Sequence, residues 1–183
     1  HCTIALSTLP EVARRRPAAL VLWIDAHGDF NSPATSPSGF LGGMCLSAPC
    51  GVWDSGFGAG LDPRQVVLCG ARDLDPGERE LLAAAEVHQA STAAASRAVT
   101  GREVFLHLDL DVLDPSVLPG GAFPVPGGLG LDELEALLGE IAAGSAVAGV
   151  EITNCSAAER AAAVAEAVVR GLDRRPSPPA PPR

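Results

Sequence analysis

The sequence contains no lysine, and all 13 of its positively charged residues are arginine. A Schiff base, a pyridoxal phosphate anchor and a phosphate-loop ammonium group all need lysine, so these kinds of chemistry are excluded. Net positive charge is lacking as well, since the formal net charge is -9. A nucleic-acid-binding protein needs clustered basic residues, and the one local cluster, residues 14–16, is better explained as a solvated helix end. We therefore expect no nucleic-acid partner.

Long apolar runs and paired cysteines are also missing. No run of about 18 uninterrupted apolar residues occurs, so no membrane span is expected. The five cysteines are an odd number without a close Cys-x-x-Cys pair, which disfavours both a zinc knuckle and a disulfide framework. Small buried thiols in a cytoplasmic protein are the simpler interpretation. The chain starts at His1 and has its only methionine at Met44, so we expect a processed or N-terminally incomplete sequence.

Four short apolar runs predict β-strands at residues 19–24, 66–69, 104–110 and 147–152. Runs of this length that are apolar on both faces are typical of parallel strands buried between helix layers. The segments between them predict helices: one opens at Pro76, one is capped by Asp132, and one is capped by Ser156. This alternation predicts an α/β fold, a three-layer α/β/α sandwich with a mainly parallel sheet. We expect one domain over residues 1–172 and a disordered proline-rich tail over residues 173–183.

Acidic residues and a histidine follow the first and third runs. Residues two apart on extended backbone project to the same side, so Asp25, His27 and Asp29 converge if the first strand continues that far. Asp109 and Asp111 share a side in the same way. Chemistry in such sheets lies beyond the carboxyl ends of the strands. Four carboxylates and an imidazole are therefore expected in one crevice.

So much negative charge in one crevice is costly unless cations neutralise it. Carboxylates with one or two imidazoles suit Mn²⁺ and similar ions, and the donors are too many for one ion, which favours a two-metal site. The alternative is that the aspartates are turn and cap residues, as isolated aspartates usually are. The occurrence of the pattern at two strand ends weighs against that alternative. His107 lies on the same side of its strand as Asp109 but deeper, which favours a hydrogen-bonded supporting role over ligation.

The segments DAHGDFN, HLDLDVLDP running into PGGAFPVPGGL, and GVEITN resemble the ureohydrolase family of arginases, agmatinases and formimidoylglutamases. The resemblance extends from His1 to about Leu172, and the motifs match in order at three strand ends. It implies the arginase-like fold, two Mn²⁺ ions per chain and a small-molecule guanidino substrate. It also implies a homo-oligomer, a trimer or a hexamer.

The resemblance further implies individual roles. The first Mn²⁺ would be held by His1, Asp25, Asp29 and Asp109. The second would be held by Asp25, His27, Asp109 and Asp111, so that Asp25 and Asp109 bridge the two ions. Hydroxide formed between the ions would attack the guanidinium carbon, with Asp29 accepting the proton and Glu151 pairing with the guanidinium.

Other matches concern the substrate. By the resemblance, Asn31 and Ser38 would bind an α-carboxylate and Asp75 an amino group, which favours arginine over agmatine. Two positions depart from the arginase pattern, because Phe40 replaces an asparagine and Gly42 replaces a histidine thought to shuttle protons. A general acid contributes about 10² to 10⁴ in rate, so its loss would slow turnover.

The leading interpretation is hydrolysis of L-arginine to L-ornithine and urea. The alternatives are another ureohydrolase activity, on agmatine, guanidinobutyrate or formimidoylglutamate, or a metal-binding arginase-like protein without turnover.

Overall fold

A single parallel sheet of five strands forms the centre of the molecule. The computed structural model describes residues 1–155 and 157–173. The strands are β1 (Leu20–Ile24), β2 (Val66–Cys69), β3 (His88–Ala90), β4 (Glu103–Asp109) and β5 (Ala146–Thr153). The helices are α1 (Ala5–Arg15), α2 (Pro76–Ala84), α3 (Thr92–Val99), α4 (Leu131–Gly144) and α5 (Ala161–Leu172). The strand order is β3-β2-β1-β4-β5, and all the pairings are parallel.

Both faces of the sheet are covered, which confirms the predicted α/β/α sandwich. One hydrophobic cluster joins the sheet to α3, α4 and α5, and the other joins it to α1, α2 and the loop after β1. In β1, Leu22 and Ile24 belong to the first cluster, whereas Val21 and Trp23 belong to the second. Because both faces of β1 are buried, its sequence is continuously apolar rather than alternating.

The four predicted strands are confirmed, but β3 was not predicted. It is three residues long, lies at the sheet edge, and has the exposed residues His88 and Gln89, so its sequence lacks an apolar run. The predicted capping of α4 by Asp132 is wrong. The helix begins at Leu131, and the Glu133 carboxylate accepts a hydrogen bond from the backbone N–H of residue 130 at 2.7 Å. The predicted cap Ser156 and the tail from residue 174 lie outside the described residues.

The order of the strands determines where a crevice opens. From β1 the chain builds β2 and β3 on one side, then crosses to build β4 and β5 on the other. Ligands in open α/β sheets bind beyond the carboxyl ends of the strands at such a reversal, here between β1 and β4. Among the described residues, none of the helices has both the length and the apolar character needed to cross a bilayer.

Candidate active site

A cavity of about 240 Å³ opens at the carboxyl ends of β1 and β4. Every predicted metal ligand and every predicted substrate residue lines it: His1, Asp25, His27, Asp29, Asn31, Ser38, Asp75, Asp109 and Asp111. Of the predicted site residues, Glu151 alone is not part of the lining. The cavity is smaller than the about 300–1,000 Å³ of typical sites for drug-sized ligands, so its size suits a ligand as small as an amino acid.

The residues after β1 converge on this cavity through a turn rather than through an extended strand. β1 ends at Ile24, and the backbone N–H of His27 donates to Oδ1 of Asp25 at 2.7 Å. Asp29 adopts a positive φ of 48°, which aspartate tolerates better than most residues. The three side chains therefore reach one cavity as expected, but not by the expected alternation.

Asp109 is the last residue of β4, and a short 3₁₀ turn follows it. The backbone N–H of Asp111 donates to Oδ1 of Asp109 at 2.8 Å, which ties the turn to the strand end. The second oxygen, Oδ2, accepts from the Thr153 hydroxyl at 2.9 Å and from the Asn154 amide at 3.0 Å. This network fixes a fully buried carboxylate at the centre of the sheet.

His27 is held between two carboxylates. Its Nδ1 lies 3.2 Å from Oδ2 of Asp111 and 3.4 Å from Oδ1 of Asp25. Burial opposes a charge on His27, but hydrogen bonds to Asp111 and Asp25 outweigh it and raise the pKa of the imidazole to about 11. The pKa of Asp111 shifts the other way. Burial acts to raise this pKa, but the hydrogen bond to His27 and the charge of His27 lower it below its usual value.

The inner carboxylates are destabilised in the absence of a cation. Burial, together with the charges of neighbouring carboxylates, raises the pKa of Asp25 and of Asp29 well above the usual range. Burial and the charge of Asp111 also raise the pKa of Asp109. A site that penalises its own negative charge in this way is suited to a divalent cation.

Within residues 1–155 and 157–173, two overlapping groups of side chains could hold metal ions. Ligand atoms of Asp25, His27 and Asp111 lie within 4.8 Å of one another, and so do those of a second group formed by Cys2, Asp25, His107 and Asp109. Among the residues that the structure describes, neither Nε2 of His27 nor Nε2 of His107 has a hydrogen-bond partner, although both atoms are buried. Carboxylates with unpartnered imidazole nitrogens match the donors that divalent transition metals prefer.

Cys2, rather than His1, enters the second group. The Sγ of Cys2 lies 2.7 Å from Oδ2 of Asp109 and 4.0 Å from Oδ2 of Asp25. His1 lines the cavity at the exposed chain end, where its ring packs edge-on against Phe40 at 5.1 Å. From the sequence, Cys2 is expected to be an ordinary buried thiol. The one feature that could have indicated its place beside the carboxylates is its position directly after His1, the expected metal ligand.

Glu151 lies beneath the cavity. Its Oε1 is 2.6 Å from Nδ1 of His107, and its Oε2 accepts a hydrogen bond from the Thr8 hydroxyl of α1 at 2.7 Å. Both carboxylate oxygens are thus engaged within the protein. The structure does not bring Glu151 to the cavity where a guanidinium would meet it.

The residues expected to bind the substrate backbone do lie together. The amide of Asn31 donates to Oδ2 of Asp75 at 2.9 Å, and Ser38 lines the same cavity. Beneath them lies Glu78, which sequence reasoning missed. Its Oε1 accepts from the backbone N–H of Phe30 at 2.8 Å, and its Oε2 from that of Asp75 at 3.3 Å.

Two phenylalanine rings stand at the mouth of the cavity. Phe40 and Phe123 have ring centroids 5.0 Å apart, and Phe123 also meets His27 edge-on at 6.3 Å. Phe40 lies over Gly42, so both departures from the arginase pattern fall at one place. Phe123 was not singled out from the sequence, because it lies in a glycine- and proline-rich loop without periodicity.

Comparison with known proteins shows the family to which the chain belongs. The model of the Arginase family matches residues 2–172. The chain is 45% identical over 177 residues to the N(omega)-hydroxy-L-arginine amidinohydrolase of Streptomyces lavendulae, covering 94% of this chain and 64% of that protein. It is 39% identical over 153 residues to the arginase of Brevibacillus brevis, covering 72% of this chain and 51% of that protein.

Solved structures give the same result for the fold. The arginase of Bacillus cereus superimposes with a TM-score of 0.82 at 32% identity, covering 96% of this chain and 68% of that one. The fold and the acidic crevice together define an α/β/α sandwich protein with a candidate metal centre at the carboxyl ends of β1 and β4. The chain belongs to the arginase family. It spans about half to two thirds of the length of the curated relatives named here.

Proposed function

We propose that this chain, over residues 1–172, is the catalytic part of a binuclear metal hydrolase that cleaves a guanidino C–N bond of an arginine-type amino acid. The observation that carries the proposal is that two groups of metal-ligand side chains share Asp25, and that all their members except His107 line one small cavity between β1 and β4. Membership of the arginase family supports the same conclusion.

The proposed ions are two Mn²⁺. Asp25, Asp109, His27 and Asp111 would hold them, together with Asp29 and Cys2, which line the same cavity. When bound, two divalent ions lower the pKa of a shared water and supply hydroxide at neutral pH. The same ions would neutralise the negative charges of Asp25 and Asp29, which burial and neighbouring carboxylates disfavour in the metal-free protein.

The protein's own side chains orient the substrate and move protons. Asn31, Ser38 and Asp75 take the α-carboxylate and α-amino group at the cavity rim. Asp29 accepts the proton released as water adds to the guanidino carbon, and returns it to the substrate's Nε as the bond between Nε and that carbon breaks. Gly42 contributes no proton donor, so this transfer depends on Asp29.

Two substrates fit this scheme: L-arginine, which gives ornithine and urea, and Nω-hydroxy-L-arginine, which gives ornithine and hydroxyurea. The replacement of two arginase-pattern residues by Phe40 and Gly42 supports the second, as does the name of the relative from Streptomyces lavendulae. Both substrates carry the α-carboxylate that the rim residues are proposed to bind.

The test is release of the amine product by the purified protein with added Mn²⁺: ornithine from L-arginine or its Nω-hydroxy derivative, putrescine from agmatine, and aminobutyrate from guanidinobutyrate. We expect turnover of one or both amino acids, loss of turnover in Asp109→Asn, and unchanged turnover in Asp132→Asn, which alters an exposed aspartate. Release of product from agmatine alone would overturn the amino-acid assignment. Two bound ions with no turnover of any guanidine would overturn the hydrolase.

A further inference from the structure

One residue outside the cavity lining is bonded to both strand ends that carry candidate metal ligands. The backbone N–H of Arg72 donates to the carbonyl oxygen of Ala26 at 2.9 Å, and Ala26 lies between Asp25 and His27. The side chain of Arg72 donates to the carbonyl oxygen of Asp111, with Nη2 at 3.1 Å. Arg72 follows β2, which is the neighbour of β1 in the sheet.

The guanidinium of Arg72 binds backbone carbonyl groups of two separate segments. The first is the turn after β4, where Nη2 meets Asp111 and Nη1 meets the carbonyl oxygen of Val112 at 3.3 Å. The second is the loop that carries Phe123, where the carbonyl oxygen of Val125 accepts from Nη2 at 2.7 Å and from Nε at 3.2 Å. A guanidinium presents five N–H donors in one rigid plane, so a single side chain can hold both segments.

The contact with Asp111 fixes a residue whose other backbone group is already held. The backbone N–H of Asp111 donates to Oδ1 of Asp109 at 2.8 Å, and Arg72 holds the carbonyl oxygen of the same residue. The last carbonyl groups of a helical turn have no partner within the turn and carry partial negative charge, so they suit a cationic donor. With both backbone groups held, Asp111 keeps its Oδ2 3.2 Å from Nδ1 of His27.

The backbone on either side of this turn is packed closely. A Cβ added to Gly70, at the end of β2, would lie 2.9 Å from Cγ2 of Val112 and 3.1 Å from the carbonyl oxygen of Asp25. A Cβ added to Gly128 would lie 2.5 Å from the carbonyl oxygen of Val112. Closely packed segments transmit strain to one another, so a displacement of the turn after β4 is also felt at the end of β1.

We propose that Arg72 is the positioning residue of the candidate metal centre, and that it sets the separation between the end of β1 and the turn after β4. The proposal deepens the proposed function and rests on it, because Asp25, His27 and Asp111 are taken as metal ligands. Arg72 is not itself a ligand and acts through the backbone of both segments. The same guanidinium holds the loop that places Phe123 at the mouth of the cavity.

The test is calorimetric titration of the metal-free protein with Mn²⁺. Arg72→Gln should weaken the affinity about 10–100-fold, the usual effect of losing a group that orients a metal ligand. Arg72→Lys should weaken it as well, because an ammonium group presents its donors from one point and cannot span both segments. The matched control is Arg64→Gln, which makes the same change at an exposed arginine before the start of β2 and should leave the affinity unchanged.

A second control separates positioning from a general loss of stability. Val99→Ala removes buried methyl groups just before the start of β4, at the end of that strand away from Asp109. It should lower Tm without changing the affinity for Mn²⁺, whereas Arg72→Gln should lower the affinity.

Hydrogen exchange of the metal-free protein gives an independent measurement. The backbone N–H of Leu129 donates to the carbonyl oxygen of Val112 at 3.0 Å, which is a carbonyl that Arg72 also holds. Exchange of this N–H should be about tenfold faster in Arg72→Gln than in the wild-type protein or Arg64→Gln.

Wild-type affinity in either Arg72 variant, an equal loss of affinity in Val99→Ala, or unchanged exchange at Leu129 would overturn the proposal. Neither measurement involves guanidine hydrolysis. A protein that binds Mn²⁺ through this arrangement but hydrolyses no guanidine would contradict the proposed function alone, whereas turnover with unaltered Arg72 variants would contradict the positioning role alone.

Discussion

The ring of Phe40 fills the space that a side chain on Gly42 would need. A Cβ built on Gly42 would lie 2.4 Å from Cε1 of Phe40 and 3.0 Å from Cε1 of His1. The two departures from the arginase pattern are therefore one structural change, because the aromatic ring requires the glycine beneath it. Restoring a histidine at position 42 alone therefore conflicts with the ring of Phe40.

Gly42→His alone should destabilise the protein by about 1–3 kcal/mol, the usual cost of overpacking. Phe40→Asn combined with Gly42→His should recover most of that loss, since the smaller side chain frees the space. Urea unfolding of the single and double variants measures the coupling. Gly43→His is the control, because a Cβ there meets no atom within 4 Å. Additive effects of the two changes would contradict the packing described here.

Trp23→Phe should weaken metal binding while leaving the protein folded. The indole Nε1 donates to Oδ2 of Asp25 at 3.1 Å, so the variant frees a shared carboxylate oxygen to rotate. Loss of such a supporting hydrogen bond costs about 10–100-fold in metal affinity. The matched control is Trp53→Phe, whose indole donates to Ser47 away from the carboxylates. Calorimetric titration with Mn²⁺ distinguishes them, and equal affinity in both variants would contradict the prediction.

The stabilisation given by divalent ions should grow with pH. The pKa values of Asp25, Asp29 and Asp109 are raised by burial and by neighbouring carboxylates. A carboxyl whose folded-state pKa is raised stabilises the fold below its unfolded pKa of about 3.9, and this contribution is lost as pH rises through the folded value. The metal-free protein should therefore lose stability above about pH 4, whereas ions bind the ionised carboxylates.

Thermal unfolding with and without Mn²⁺ tests this expectation. The increase in Tm caused by the ion should be small near pH 5 and larger near pH 8, as expected where ligands must lose protons before they bind. The variant Asp109→Asn should show a flatter profile. An increase in Tm that is independent of pH would contradict the raised pKa values.

Glu78→Ala should cost about 1–3 kcal/mol of stability, because it leaves the buried backbone N–H of Phe30 without its acceptor. It should also raise KM more than it lowers kcat, since the same carboxylate holds the backbone of Asp75 at the cavity rim. Glu80→Ala changes an exposed glutamate of the same helix and should be nearly neutral. Equal losses in the two variants would show that Glu78 has no special role.

The parts of the fold that could be predicted are those whose burial is recorded as a run or a spacing of apolar residues in the sequence. Strands buried on both faces are continuous apolar runs, so β1, β2, β4 and β5 were recognised, whereas the short edge strand β3 has exposed polar residues and no such run. The acidic residues at the ends of β1 and β4 were predicted to meet because parallel strands end at one edge of a sheet. They do meet in one cavity.

Other features of the site depend on contacts that no local pattern contains. Whether His1 or Cys2 faces the carboxylates depends on how the first turn before α1 packs on the sheet. The partnership of His107 with Glu151 depends on the register between β4 and β5, which includes an irregularity near Val104. Two-residue spacing placed His107 below Asp109 correctly, but only strand pairing shows that its Nδ1 is occupied and its Nε2 is not.

The pairing of β1 with β4 also has a consequence for folding kinetics. Cys2 and Asp109 are separated by 107 positions in sequence, and the crevice between them exists only after these central strands have paired. Contacts between such distant segments form late, because closing the long intervening loop first costs conformational entropy. A divalent ion added to the refolding chain therefore cannot act as an early nucleus. Its binding marks the molecules in which the centre of the sheet is already complete.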